Sequence, residues 1–213
     1  MKPLRSTLLA LLLIVPPAVV AVAGRVSRYP ARFAEVMPGK LYRGGFPSTR
    51  HIRILKEEKG IRTIISLTDE KDEPKYVEEK RAADELGIRL LRFAMPGDGC
   101  AQFGDLDRAV DALADALADA PASRSRPPVF YHCAAGKQRS NALLGAYRMR
   151  VCRWPFEQAL QELERDYGLD RQDPRERALA EHLRAYAKWL EASGLGAEKP
   201  VAPGRPPATA PSS

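Results

Sequence analysis

The chain has 213 residues, 45% of them hydrophobic and 29% charged, with a formal net charge of +7. That length buries one good core and is short for two. Arg and Lys alternate with Glu and Asp through the helical patterns instead of forming a basic stripe, which argues against nucleic acid as a partner and leaves a mild bias toward anionic substrates.

At the start of the chain, Lys2 and Arg5 precede an apolar run from Leu8 to Ala23 that is interrupted by Pro16 and Pro17. Residues 1–23 therefore read as a signal peptide, with Ala21-Val22-Ala23 before Gly24 as a small-residue cleavage site, or as a retained membrane anchor. The run is intermediate between the apolar stretch of a signal and the roughly 20 residues of a spanning helix. Both readings predict an exported protein, membrane-anchored or periplasmic/extracellular.

From residue 30 to 192, short β-branched runs alternate with longer helical patterns. This predicts one α/β domain, with a central, mostly parallel sheet of four to five strands flanked by helices. The strands are expected at 40–43, 62–67, 88–93 and 128–132. Ser48 is placed to cap a helix running to Lys59 and stopped by Gly60, and a second helix spans 72–86 before Gly87. Further helices are expected at 105–120, 139–151, 155–167 and 174–192. Residues 194–213 are Gly, Ala, Pro and Ser with little else, the composition of a disordered tail. No internal repeat is present, and a monomeric catalytic domain is expected. Ligands of open α/β sheets bind beyond the carboxyl ends of the strands, so the loops of interest are 68–73, 94–103 and 133–138.

The last of these loops belongs to the run His132-Cys133-Ala134-Ala135-Gly136-Lys137-Gln138-Arg139-Ser140, between the apolar strand Pro128–Tyr131 and a helix starting near Arg139. A short loop entering a helix turns successive N–H groups inward and forms an anion nest, reinforced by the helix terminus. The field that holds phosphate also favours a thiolate, so Cys133 is the expected nucleophile. Residues Ala134, Ala135, Gly136, Lys137, Gln138 and Arg139 would bind the substrate phosphate. Gly136 suits a positive φ, and Arg139 offers a planar fork for two phosphate oxygens. Ser140 can donate its hydroxyl to the sulfur and ease departure of the thiolate, or simply cap the helix. His132 is expected to be buried and to orient the loop. Cys100 and Cys152 lack an Arg six residues on. Three cysteines are too few and too odd a number for a disulfide framework, and no Cys-x-x-Cys pair points to zinc.

The run HCAAGKQRS resembles the HCxxGxxR(S/T) signature of the protein tyrosine phosphatases, especially the dual-specificity branch. A second stretch, Gly39 to Ser48, is similar to the LYRSxQPS-like opening of small bacterial, plant and fungal members. The differences there, at Gly44 and Phe46, fall on no residue assigned to the chemistry. The resemblance implies a metal-independent phosphatase without cofactor that passes through a phosphocysteine intermediate. Its expected substrates are phosphotyrosine or phosphoserine/threonine proteins, or alternatively phosphoinositides or inositol phosphates; a third alternative is a non-catalytic phosphate-binding module. The family also places an acid on a loop upstream of the Cys, and Asp98, between Gly97 and Gly99, matches it. Asp105 and Asp107 compete, but they fall at a helix start. Lys137 resembles the loop lysine of phosphatases acting on phosphoinositides or inositol phosphates, and reads equally well as a solvated loop lysine. Cys100 reads first as a small loop residue, and alternatively as the partner of a reversible Cys100–Cys133 disulfide that protects the nucleophile. Arsenate reductases and low-molecular-weight phosphatases carry the Cys near the chain start with the acid downstream, unlike this chain.

Overall fold

The computed structural model of the protein describes residues 27–68, 73–118 and 127–195. The expected signal or anchor at 1–23, and the expected tail from residue 196 on, lie outside them.

The described residues form one α/β domain around a five-stranded sheet in the order β1-β2-β5-β3-β4. The strands are β1 (Ala34–Met37), β2 (Leu41–Gly44), β3 (Thr63–Ser66), β4 (Arg89–Arg92) and β5 (Val129–His132). Only the β1–β2 pair is antiparallel; β2, β5, β3 and β4 run parallel. Strand β5 is buried along its whole length, as expected of a parallel strand covered on both faces. Strand β1 was not anticipated. It is a half-exposed edge strand with an irregularity between Glu35 and Met37, so it shows no apolar alternation to read.

Six helices cover the sheet among the described residues: α1 (Thr49–Lys59), α2 (Pro74–Glu85), α3 (Phe103–Leu117), α4 (Gln138–Arg150), α5 (Phe156–Tyr167) and α6 (Pro174–Ala192). Local chemistry explains their ends. Ser48 accepts the His51 N–H, the His51 ring accepts the Ser48 N–H, and Gly60 closes α1 in the left-handed conformation. Pro74 and Pro174 occupy first-turn positions where no N–H is needed, and Asp173 caps α6. Alternation along the strands then builds two cores. Tyr42, Ile64 and Phe130 pack with Ile52, Leu55 and Ala83 of α1 and α2. Leu41, Ile65 and Tyr131 face the opposite layer of Leu106, Leu143, Leu163 and Leu183, contributed by α3 to α6.

The register decides where the site forms. Gly44 and Ser66 both align with His132, and Ser66 aligns with Arg92, so four parallel strands end in one row. Pairing continues one step further through Leu67 N–H to the His132 carbonyl (2.9 Å) and Phe93 N–H to the Ser66 carbonyl (2.9 Å). Gly45, Cys133, Leu67 and Phe93 therefore begin the loops at a common edge. None of the helices among the described residues is long and apolar enough to cross a membrane.

Candidate active site

Residues 133–137 leave β5 and enter α4 as a tight turn around the Cys133 sulfur. The side chain of Cys133 is buried, and its Sγ accepts the Gly136 N–H at 3.2 Å and the Ser140 hydroxyl at 3.3 Å. Burial alone pushes the thiol up. The Ser140 hydroxyl, the N–H groups of Ser140 and Lys137, and the Arg139 charge together outweigh it, and the net pKa falls below the ordinary thiol value. By contrast, burial raises the thiols of Cys100 and Cys152, and Asp98 raises Cys100 further. All three cysteines are free.

Gly136 adopts φ +69°, and a Cβ there would lie 2.6 Å from the backbone of Gly44 and Gly45. No side chain fits that contact. Gly44 and Gly45 thus adjoin the loop, and the Phe46 N–H donates to the Ala134 carbonyl at 3.1 Å. The opening segment, which the sequence linked to no role in the chemistry, is a wall of the site. Its signal was the Gly44-Gly45 pair at the end of a strand.

Arg139 donates to the Leu67 carbonyl at 3.3 Å, which fixes its guanidinium at the carboxyl end of β3. Beside it opens a cleft of about 610 Å³, lined by Glu73, Lys75, Tyr76, Met95, Pro96 and Gly97 as well as Arg139. His132 is fully buried. Its Nδ1 faces the Cys133 carbonyl at 3.4 Å and its Nε2 lies 2.6 Å from Glu79. Glu79 also pairs with Arg92 at 2.9 Å, so a buried His–Glu–Arg array underlies the loop. Glu79 and Arg92 were not singled out in the sequence, because a helix acid and a strand arginine carry no motif.

The other expected residues are placed as follows. Ala134 and Ala135 are exposed at the loop mouth, and Gln138 opens α4. Lys137 is ion-paired with the buried Glu176 of α6, whose second oxygen accepts the Asp170 N–H at 2.6 Å. Asp98 is exposed, and its carboxylate accepts the Cys100 N–H at 2.9 Å. The loop carrying Asp98 is docked on the 133–138 turn through Gly99: at φ +83°, a Cβ there would meet the Gln138 carbonyl at 2.9 Å. Asp107 is held by the Tyr186 hydroxyl at 2.5 Å and by Arg150, and Asp105 pairs with Arg108.

A family model described as "Tyrosine phosphatase family" matches residues 29–184. The chain belongs to the tyrosine phosphatase family. Within it, this phosphatase is similar to Inositol diphosphatase DSP3 of Arabidopsis thaliana, 30% identical over 147 residues that cover 68% of this chain and 67% of the relative. It is also similar to Inositol diphosphatase SIW14 of Saccharomyces cerevisiae, 27% identical over 137 residues, 64% of this chain and 45% of the relative. The match thus spans just under half the yeast protein. Among solved structures, the fold is shared with PTPMT1 (TM-score 0.58, 20% identity, 76% of this chain and 98% of that one). It is shared too with the catalytic core of the SIW14 phosphatase from S. cerevisiae in complex with citrate (TM-score 0.55, 20% identity, 78% and 95%).

The expectation of an exported, membrane-anchored or periplasmic/extracellular protein is corrected. No helix among the described residues is long and apolar enough to cross a membrane, and the relatives matched are named as inositol diphosphatases. The expectation rested on residues 1–23, outside both the matched and the described parts of the phosphatase.

Proposed function

We propose that this phosphatase removes a phosphoryl group from an inositol diphosphate through a phosphocysteine intermediate on Cys133. The observation that carries the chemistry is the buried Cys133 sulfur, which accepts hydrogen bonds from Gly136 and Ser140 beside Arg139. The substrate reading replaces the phosphoprotein expected from the motif. It rests on the two relatives named as inositol diphosphatases.

In the first step the Cys133 thiolate attacks the outer phosphorus, an S–P bond forms and the P–O bond to the leaving phosphate breaks. Arg139 and the inward N–H groups take up charge on the equatorial oxygens. Asp98 supplies the proton that the leaving oxygen needs, which requires its carboxylate to leave the Cys100 N–H; the neighbouring Gly97 has open space around it. In the second step water attacks the phosphocysteine, Asp98 accepts its proton, and the Ser140 hydroxyl stabilises the departing thiolate. Inorganic phosphate is released.

The test is phosphate release by the purified protein in excess chelator, with inositol diphosphates, inositol monophosphates and phosphotyrosine peptides as substrates. The inositol diphosphates are expected to show the highest kcat/KM, and Cys133→Ser is expected to be inactive on all three. A preference for phosphopeptides would overturn the substrate reading, and activity surviving in Cys133→Ser would overturn the nucleophile.

A further inference from the structure

The carbonyls of the phosphate loop are each held from outside. His132 Nδ1 faces the Cys133 carbonyl at 3.4 Å, Phe46 N–H donates to the Ala134 carbonyl at 3.1 Å, Arg32 Nη1 to the Ala135 carbonyl at 2.9 Å, and Arg43 Nη2 to the Gly136 carbonyl at 3.1 Å. Three of these four donors come from the segment 32–46, ahead of the first parallel helix crossover.

A peptide unit is planar and, throughout the described residues, trans, so its C=O and N–H point in opposite directions. A donor that fixes the Ala135 carbonyl outward therefore fixes the Gly136 N–H inward, and that N–H is the one 3.2 Å from the Cys133 sulfur. Holding the Gly136 carbonyl does the same for the Lys137 N–H, which also lowers the Cys133 thiol. Holding the Ala134 carbonyl turns the Ala135 N–H to the same side. Without these contacts, inward N–H groups would repel one another and the loop would lose its concavity in favour of bonds to water.

The donors are themselves built in place. Arg43 is 1% exposed, donates to Asn141 Oδ1 at 2.7 Å and lies 4.3 Å above the Tyr167 ring. Arg32 takes a left-handed backbone, φ 51°, which costs a non-glycine residue of order 1 kcal/mol and persists where surrounding contacts demand it. Those contacts are the Gly45 N–H donating to the Ala31 carbonyl at 2.7 Å and the stacking of Tyr29 on Phe33 and Phe33 on Tyr42, which fasten the segment to the core.

We propose that Arg32 and Arg43 are positioning residues that, with the Phe46 N–H, clamp the loop carbonyls outward and thereby aim the Gly136 and Lys137 N–H groups at the Cys133 sulfur and the bound phosphate. This inference rests on the proposed role of Cys133 and adds residues that touch neither substrate nor reacting atoms.

The decisive variant is Arg32→Ala, since the residue is exposed and its removal leaves no buried gap. Three quantities are measured on the purified protein: the pH dependence of Cys133 alkylation by iodoacetamide, the inhibition constant of inorganic phosphate, and the urea unfolding midpoint. Arg32→Ala is expected to move the thiol titration to higher pH and to weaken phosphate inhibition about 3–10-fold, the worth of one hydrogen bond, with the unfolding midpoint unchanged. Arg32→Lys, which keeps a donor, is expected to recover part of both losses, and Arg43→Lys to shift the thiol titration in the same direction as Arg32→Ala. Wild-type titration and wild-type phosphate inhibition in folded Arg32→Ala would overturn the clamp and leave the nucleophile standing. An ordinary thiol and no phosphate inhibition in the wild type would overturn both.

Discussion

Cys133 titrates against its own burial. Burial raises a thiol, as it does the half-buried Cys152, yet the more deeply buried Cys133 falls because four hydrogen-bonding and charge contacts favour the thiolate. The reactive form therefore persists to lower pH than in an unperturbed thiol, and kcat/KM should rise with pH along a limb set by this lowered pKa. Ser140→Ala removes the first of the contacts that lower it, so the limb should move to higher pH, and breakdown of the phosphoenzyme should slow because the departing thiolate loses a donor. A pH–rate profile together with rapid-quench measurement of the two steps checks both. Arg139→Lys should cost about 100-fold or more in kcat/KM, since a point charge cannot replace a two-pronged grip on developing charge. At this scale the sequence was most legible: Cys133, Gly136, Arg139 and Ser140 lie within one run of eight residues, and neighbours in a tight turn are neighbours in space. Arg32, Glu79 and Glu176 were not legible, because their meaning comes from what the fold brings opposite them.

Among the elements, the contact of the β2–α1 connection with the Cys133 loop is the least forgiving. Gly136→Ala would place a Cβ 2.6 Å from the Gly44 and Gly45 backbone at a positive φ. The expected cost is roughly 2–5 kcal/mol from combined backbone strain and overpacking, read by urea unfolding, with loss of activity in the remaining folded protein. The Asp98 loop gives a prediction of a different kind. A leaving phosphate is a far weaker base than an alkoxide and gains less from the proton Asp98 supplies, so Asp98→Asn should lower kcat far more on an alkyl monoester than on an inositol diphosphate. General acid catalysis is typically worth about 10²–10⁴-fold, which sets the loss expected for the alkyl ester. Equal losses on the two substrates would remove Asp98 as the acid. Helix positions were readable to within a few residues, since Ser48, Gly60, Pro74 and Pro174 punctuate them. The edge strand β1 was not, because Ala34–Met37 is held by aromatic stacking of its flanks and by pairing with β2, neither of which leaves a periodic trace.

For the molecule as a whole, two cores on opposite faces of the sheet hold four strand ends in one row, and the site inherits its rigidity from them. The larger core contains a buried ion pair: Arg148 of α4 meets Glu162 of α5 through two hydrogen bonds of 2.8 and 2.6 Å, with both side chains about nine-tenths buried. Glu162→Ala would strand the guanidinium and should destabilise the fold by about 3–5 kcal/mol in urea unfolding while sparing kcat per folded molecule. The central claim is that the phosphoryl group passes through Cys133. It is tested most directly by mixing Ser140→Ala with inositol diphosphate labelled on its outer phosphate, quenching in acid within the first turnover and mapping the label by mass spectrometry. A phosphoryl group is expected on the peptide containing Cys133, at a yield approaching one per site. A first turnover that releases phosphate with no labelled Cys133, or with the label on another residue, would contradict it.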